Sequence, residues 1–285
     1  MQSNKFKAYI TLTRPFNTFL LMLIVLMTPY IIGNKIDFNH AQFNLFLTTL
    51  SFGCISAGSY VLNDYYDINI DKINKPNKSI PMGVISLIEA KRFGTILICL
   101  GILISLFINL SIIILLVIYT LILQLYNMKY KKSIFKNIII GVACSFSIVL
   151  GASVINKFNS IFLIFLIFII IFTISREIYK DIEDIDGDRS FTNTIPLHLG
   201  TKTAMCISSF LLILIIILSP ILYCLGLMNL NYVLIIFSVD ILLLYCIYIG
   251  ILNFKTEHKK LFRKMQKLCK ICMTLAFLGL ILGRI

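Results

Sequence analysis

Nine apolar runs leave this chain few choices of fold. They cover roughly 15–33, 43–63, 93–109, 111–127, 137–155, 160–176, 203–225, 231–252 and 268–283. Most approach the ~20 residues that a helix needs to cross a hydrocarbon core, and several are a turn shorter. Inside a bilayer the backbone must satisfy its own hydrogen bonds, so runs of this length predict helices. The expectation is an all-α, polytopic membrane protein with nine transmembrane helices, forming a single domain over residues 1–285. Composition agrees, with 59% hydrophobic and 14% charged residues and a mean hydropathy of +0.93. A soluble domain is nearer half apolar and a quarter charged. The third and fourth runs are split at Asn109–Ser111, which reads as a tight hairpin.

Charge sets the expected orientation. Alternate loops carry 23 of the 26 Lys and Arg residues, leaving only Lys35, Lys157 and Arg284 on the other face. The positive-inside rule places the N-terminus and the basic loops in the cytoplasm and the C-terminus outside. The formal charge of +13 therefore reflects topology and anionic lipid headgroups, not nucleic acid. The basic start MQSNKFKAYITLTRPF leads into an apolar run with no small-residue cleavage site, so it reads as a retained first span. The eight cysteines are scattered through apolar runs. The one C-x-x-C, Cys269 and Cys272, has no second pair or nearby histidine to complete a zinc site.

Against this basic background, acidic residues are concentrated. Nine of thirteen lie in two stretches, Asn63 to Gly83 and Arg176 to Asp188. Asp64, Asp67 and Asp71 have the spacing D-x2-D-x3-D, and Asp181, Asp184 and Asp188 repeat it 117 positions later. Gly83 and Gly200 follow at the same offset, so the chain contains a faint internal repeat. On a helix those spacings bring three carboxylates to one face, with Glu177 on the second face and Glu183 and Asp186 turned elsewhere. Such a row needs a cation, and oxygen ligands suit a hard ion such as Mg²⁺.

Other polar residues surround the rows. Arg14-Pro15-Phe16-Asn17 opens the first span. Arg14 reads either as a topology anchor or as a site residue, and Asn17 needs a partner one turn into the span. Gly53, Ser56, Ala57, Gly58 and Ser59 favour close helix contact. Lys72, Lys75 and Lys78 follow the first row, where they serve as inside charge or cover a bound polyanion. Asp240 is the one acid inside a span and must pair or face the interior. Residues 255–270 form a basic amphipathic stretch, expected on the membrane surface.

Two carboxylate rows can hold two Mg²⁺ ions that share ligands with phosphates, and nearby lysines add positive charge. A pyrophosphate joined to a hydrocarbon tail, an isoprenyl pyrophosphate, fits that pairing inside a membrane. The metals would stabilise the leaving pyrophosphate while a second lipid-soluble molecule attacks the allylic cation. A transporter with Asp64 and Asp181 as coupling carboxylates would instead place its acids near mid-span.

Asn63-Asp64-x-x-Asp67-x-x-x-Asp71 and Asp181-x-x-Asp184-x-x-x-Asp188 resemble the paired signatures of the UbiA-type intramembrane prenyltransferase superfamily. The Arg14-Pro15-x-Asn17 opening and Tyr126 with its following lysines are similar too. The resemblance implies a central cavity, two Mg²⁺ ions and a prenyl pyrophosphate donor. It implies catalytic roles for Asn63, Asp64, Asp67, Asp181 and Asp184, and metal binding by Asp64, Asp67, Asp71, Asp181, Asp184 and Asp188. Arg14, Asn17, Lys75, Lys78, Tyr126, Lys131 and Lys180 become candidates for substrate binding. Lys78-Ser79 stands where the family often has Arg-Pro, which keeps the charge and loses bidentate recognition. The motifs look most like the archaeal branch, which moves a geranylgeranyl group onto the glycerol hydroxyl of geranylgeranylglyceryl phosphate. The implied partners are thus a prenyl pyrophosphate, a lipid-phosphate acceptor and membrane lipids; an aromatic acceptor for quinone synthesis is the alternative. The oligomeric state stays open.

Overall fold

The computed structural model describes residues 2–33, 38–252 and 259–284. Lys35, Lys255 and His258 lie outside the described residues. Each of the nine apolar runs falls on a long helix. A short amphipathic helix, α1 (Gln2–Leu12), precedes α2 (Pro15–Ile32) and α3 (Phe38–Tyr66). After the short α4 (Ile68–Asn74) come α5 (Leu87–Ser105), α6 (Leu110–Met128), α7 (Lys136–Val154) and α8 (Ser160–Glu183). Two short pieces, α9 (Ile185–Asp188) and α10 (Ile195–Leu199), lead to α11 (Thr201–Leu218) and α12 (Ile221–Cys224), which Pro220 separates. The chain closes with α13 (Leu230–Leu252) and α14 (Lys259–Leu282). Eight of these helices are long and apolar enough to span; α5 has the length but begins with Glu89, Lys91 and Arg92. Large apolar side chains such as Phe43, Phe46, Leu121, Phe237 and Tyr248 face outward, as lipid contact requires. The chain is an integral membrane protein.

Local chemistry sets the helix ends. Asn109 accepts a hydrogen bond from the Ile112 amide at 3.0 Å and so caps α6, making the tight hairpin expected there. Asn159 caps α8 in the same way, and Ser86 with Glu89 forms a capping box on α5. The small residues of α3 divide their work. Gly58 meets the Gly94 backbone of α5, where an added Cβ would sit 2.6 Å from the Gly94 oxygen. One side of that interface is tied by Ser51 Oγ donating to the Gly101 carbonyl at 2.6 Å. Ser56 and Ser59 turn the other way, toward the interior cavity.

Two expectations change. The basic stretch after residue 258 is no separate surface helix: from Lys259 it is the first half of α14, with Phe262 and Met265 buried against Tyr179 and Cys246. The acidic rows are also not straight helix faces. Each bends at its middle aspartate, α3 passing into α4 at Asp67 and α8 into α9 at Asp184. The faint repeat is nevertheless structural, since Gly83 and Gly200 both take positive φ, 72° and 86°.

Candidate active site

The bend at Asp67 lets residues from three elements reach the first row. Arg14 has a left-handed backbone (φ 48°), which separates α1 from α2 and sends its guanidinium inward. Its Nη2 donates to Asp64 at 2.8 Å and to Asn63 Oδ1 at 3.2 Å, while the group lies over the Tyr60 ring. Lys78 bridges the outer members of the row, 2.9 Å from Asp64 and 2.7 Å from Asp71. Lys131, from the turn after α6, pairs with Asp67 at 2.6 Å. Asn63 also donates to Asn127 Oδ1, and Asn127 in turn donates to the Ser59 carbonyl, so the start of the motif is held from α6.

The second row repeats this scheme. Lys136 bridges its outer members, 2.7 Å from Asp181 and 3.6 Å from Asp188. Asn137 donates to the second Asp181 oxygen at 2.9 Å. The middle Asp184 takes Lys75 at 2.6 Å, a lysine delivered by the first motif. Asn74 fastens the two motifs together: its amide donates to the Asp184 carbonyl at 2.8 Å and accepts from the Gly187 N–H at 3.0 Å. An added Cβ at Gly187 would collide with the Asn74 side chain, so any larger residue here must displace the amide that ties the motifs.

Burial pushes the Asp71 and Asp188 carboxyls above the usual carboxylate range, against the opposing pull of Lys78 and Lys136. Burial likewise pulls the Lys131 ammonium below the ordinary lysine value, although Asp67 opposes it.

Three spaces adjoin. Asp67, Asp71, Asp181, Asp184 and Asp188 line a polar compartment of about 70 Å³ together with Lys75, Lys78, Lys131, Lys136 and Lys180. Tyr126 borders this compartment and a larger central cavity of about 300 Å³, which Arg14, Asn17, Arg176 and Lys180 also line. Leu21 and Cys144 connect the central cavity to an apolar pocket of about 100 Å³ walled by Ile24, Phe168, Phe172 and Met273. Asp240 lies on that pocket and accepts from Ser219 Oγ at 2.7 Å, the pairing expected of a lone acid in a span. Glu177 departs from the row: it pairs with Arg176 and Lys180 and lines the central cavity. Glu183 turns away to Arg263 and Gln266 of α14.

All fourteen residues singled out in the sequence therefore surround one connected interior. Lys136, Asn137, Asn74, Asn127 and Arg176 join them. The loop charges by themselves mark Lys136 only as inside charge; its position at the first turn of a span, followed by Asn137, is the available signal.

The donor set fits a magnesium ion. It is built wholly of carboxylate oxygens, and in each row the outer pair of carboxylates already converges on one cationic centre, the Lys78 or Lys136 ammonium. Among the described residues no three acidic, histidine or cysteine side chains converge enough to enclose an ion unaided. Mg²⁺ typically takes one or two carboxylates and completes its shell with water and substrate phosphates.

Comparison with known proteins gives this arrangement a class. A solved structure described as giving insight into digeranylgeranylglyceryl phosphate synthase in membranes superposes with a TM-score of 0.72 at 34% identity, covering 99% of both chains. A UbiA homologue from Archaeoglobus fulgidus bound to GPP and Mg²⁺ shares the fold, with a TM-score of 0.68 at 16% identity over 96% of this chain and 99% of that one. The fold and its interior are those of an intramembrane prenyltransferase. Residues 19–277 match the UbiA prenyltransferase family, and the chain belongs to that family. It is 32% identical to the digeranylgeranylglyceryl phosphate synthase of Methanosphaera stadtmanae, over 96% of this chain and 98% of the relative. It is 35% identical to the enzyme of the same name from Methanocaldococcus jannaschii, over 90% and 89%.

Proposed function

We propose that this prenyltransferase moves a geranylgeranyl group from geranylgeranyl pyrophosphate to the free glycerol hydroxyl of 3-O-geranylgeranylglyceryl phosphate, releasing pyrophosphate, in archaeal ether-lipid synthesis. The observation that carries the acceptor is end-to-end similarity to relatives named for that reaction. The site residues supply compatible chemistry. Asp64, Asp67 and Asp71 would hold one Mg²⁺, and Asp181, Asp184 and Asp188 a second. Bound magnesium neutralises pyrophosphate oxygens and stabilises them as a leaving group. Asn63 positions the first row through its bonds to Arg14 and Asn127. Arg14, Lys75, Lys78, Lys131 and Lys180 bind phosphate oxygens, with Tyr126 and Asn17 on the adjoining wall.

The donor's allylic carbon–oxygen bond breaks with its electron pair going to pyrophosphate, and the apolar wall keeps water from the cation. The glycerol oxygen then bonds to that carbon, and its proton passes to a carboxylate or phosphate oxygen of the site. The acidic ends face the cytoplasm and the C-terminus lies outside, in keeping with the loop charges.

The test is an acceptor screen on purified protein with geranylgeranyl pyrophosphate and Mg²⁺, read by mass spectrometry. Geranylgeranylglyceryl phosphate is compared with 4-hydroxybenzoate and homogentisate. A doubly alkylated glycerol phosphate is expected. An alkylated aromatic in its place would overturn the acceptor and leave the donor and fold intact.

A further inference from the structure

The cations of this interior fall into two sets. Arg14, Lys75, Lys78, Lys131 and Lys136 each touch an aspartate of the two rows. Arg176, Lys180 and Lys270 pair with none of the six; all three line the central cavity beside Arg14, Lys75 and Lys78, and Lys180 also borders the carboxylate compartment. Among the described residues Glu177 is the only acid on that cavity wall, and it is shared by Arg176, at 2.7 Å, and Lys180, at 3.0 Å. The second set therefore carries two positive charges beyond its local acid.

Two of its members also flank a small cleft off the cavity. Arg176 and Lys270 meet there with Asn17, between the start of α2 (Phe16, Leu20) and Met273 of α14. Among the described residues the Lys270 ammonium makes no ion pair or hydrogen bond, Asn17 makes no side-chain hydrogen bond, and Arg176 uses only one side-chain nitrogen, on Glu177. Lys270 is exposed on this wall, and its ammonium meets no acid there. An arginine with free N–H groups beside it offers a planar fork that matches a phosphate. A phosphomonoester carries about −1.5 to −2 charges at neutral pH, which complements this set.

We infer that Arg176 and Lys270, with Asn17, form a second anion site that holds the phosphomonoester of the acceptor apart from the donor's pyrophosphate. The inference rests on the proposed acceptor and adds which residues select it. Phe16, Leu20 and Met273 give the cleft, of about 20 Å³, an apolar rim, while the two cations fix the headgroup from the side of the central cavity. Separating the two phosphates lets the carboxylate compartment serve the donor alone.

The experiment measures KM for donor and acceptor separately in wild type, Arg176→Gln and Lys270→Gln. Geranylgeranylglyceryl phosphate is compared with its dephosphorylated counterpart as acceptor. Each variant is expected to raise the KM for the phosphorylated acceptor roughly 10-fold, with the donor KM held within about 2-fold. The preference for the phosphorylated over the dephosphorylated acceptor falls by the same factor, and Arg176→Lys recovers part of it. Lys270 is exposed and unpaired, so its variant reads out even if Arg176→Gln fails to fold. A matching rise in donor KM, or an unchanged acceptor preference, overturns the second anion site and leaves the proposed reaction standing. Failure of wild type to alkylate the phosphorylated acceptor at all overturns the reaction itself, and the site with it.

Discussion

Asp67 and Asp184 lie 117 residues apart and have nearly the same backbone conformation, φ −91°, ψ 8° and φ −88°, ψ 7°. This is the sparsely allowed region between helix and strand, where many active-site residues sit. In each motif the bend places a lysine on the middle carboxylate, and a second lysine bridges the outer two. The repeat is thus one of bend and charge, carried on little sequence identity.

If each row holds an ion, neutralising one carboxylate removes the reaction and spares the fold. Asp64→Asn and Asp181→Asn are each expected to lower kcat by about a thousandfold or more. Both proteins should still extract and elute in detergent like wild type. Retained turnover in either variant would sink the two-metal assignment.

Gly187→Ala should destabilise the protein by about 1–3 kcal/mol, because its methyl has no room beside Asn74. In an Asn74→Ala background most of that cost should vanish. Thermal unfolding of the four proteins in detergent checks this. An equal penalty in both backgrounds would mean that Asn74 is not the obstacle.

The contact between α3 and α5 should be similarly intolerant. Gly58→Val is expected to cost at least as much as Gly187→Ala, since the obstruction at Gly58 includes the Gly94 carbonyl of the backbone, which cannot rotate away. Folded yield and unfolding temperature are the readouts.

Metal and phosphate should bind together. Mg²⁺ with pyrophosphate is expected to raise the unfolding midpoint, by an amount equivalent to about 2.7 kcal/mol at one hundred times Kd. Mg²⁺ alone should give much less, because Lys78 and Lys136 already occupy the positions between the outer carboxylates. A full shift with Mg²⁺ alone would contradict this. Chelation should abolish turnover, and added Mg²⁺ should restore it.

Much of this was legible in the sequence, because hydropathy and charge act locally. The apolar runs marked the long helices, and the departure of acidic residues from basic loops marked the site. What escaped was whatever depends on a partner far along the chain. Nothing near Asn74 announces that it grips Asp184 and Gly187, 110 and 113 positions away. Periodicity extends a helix smoothly through Asp67 and Asp184, so the bends were invisible to it. The stretch from Lys259 to Lys270 looked like a surface helix because its own amphipathicity is real; its apolar face is covered by protein where lipid was expected.

The grip of Asn74 also determines how the molecule can open. Moving either bend away from the other breaks two hydrogen bonds and the Lys75–Asp184 ion pair together. The two acidic ends are thus tied to each other, and separating them costs all three contacts at once. Away from those ends, α2 and α14 meet along a cleft of about 20 Å³ lined by Phe16, Asn17 and Lys270.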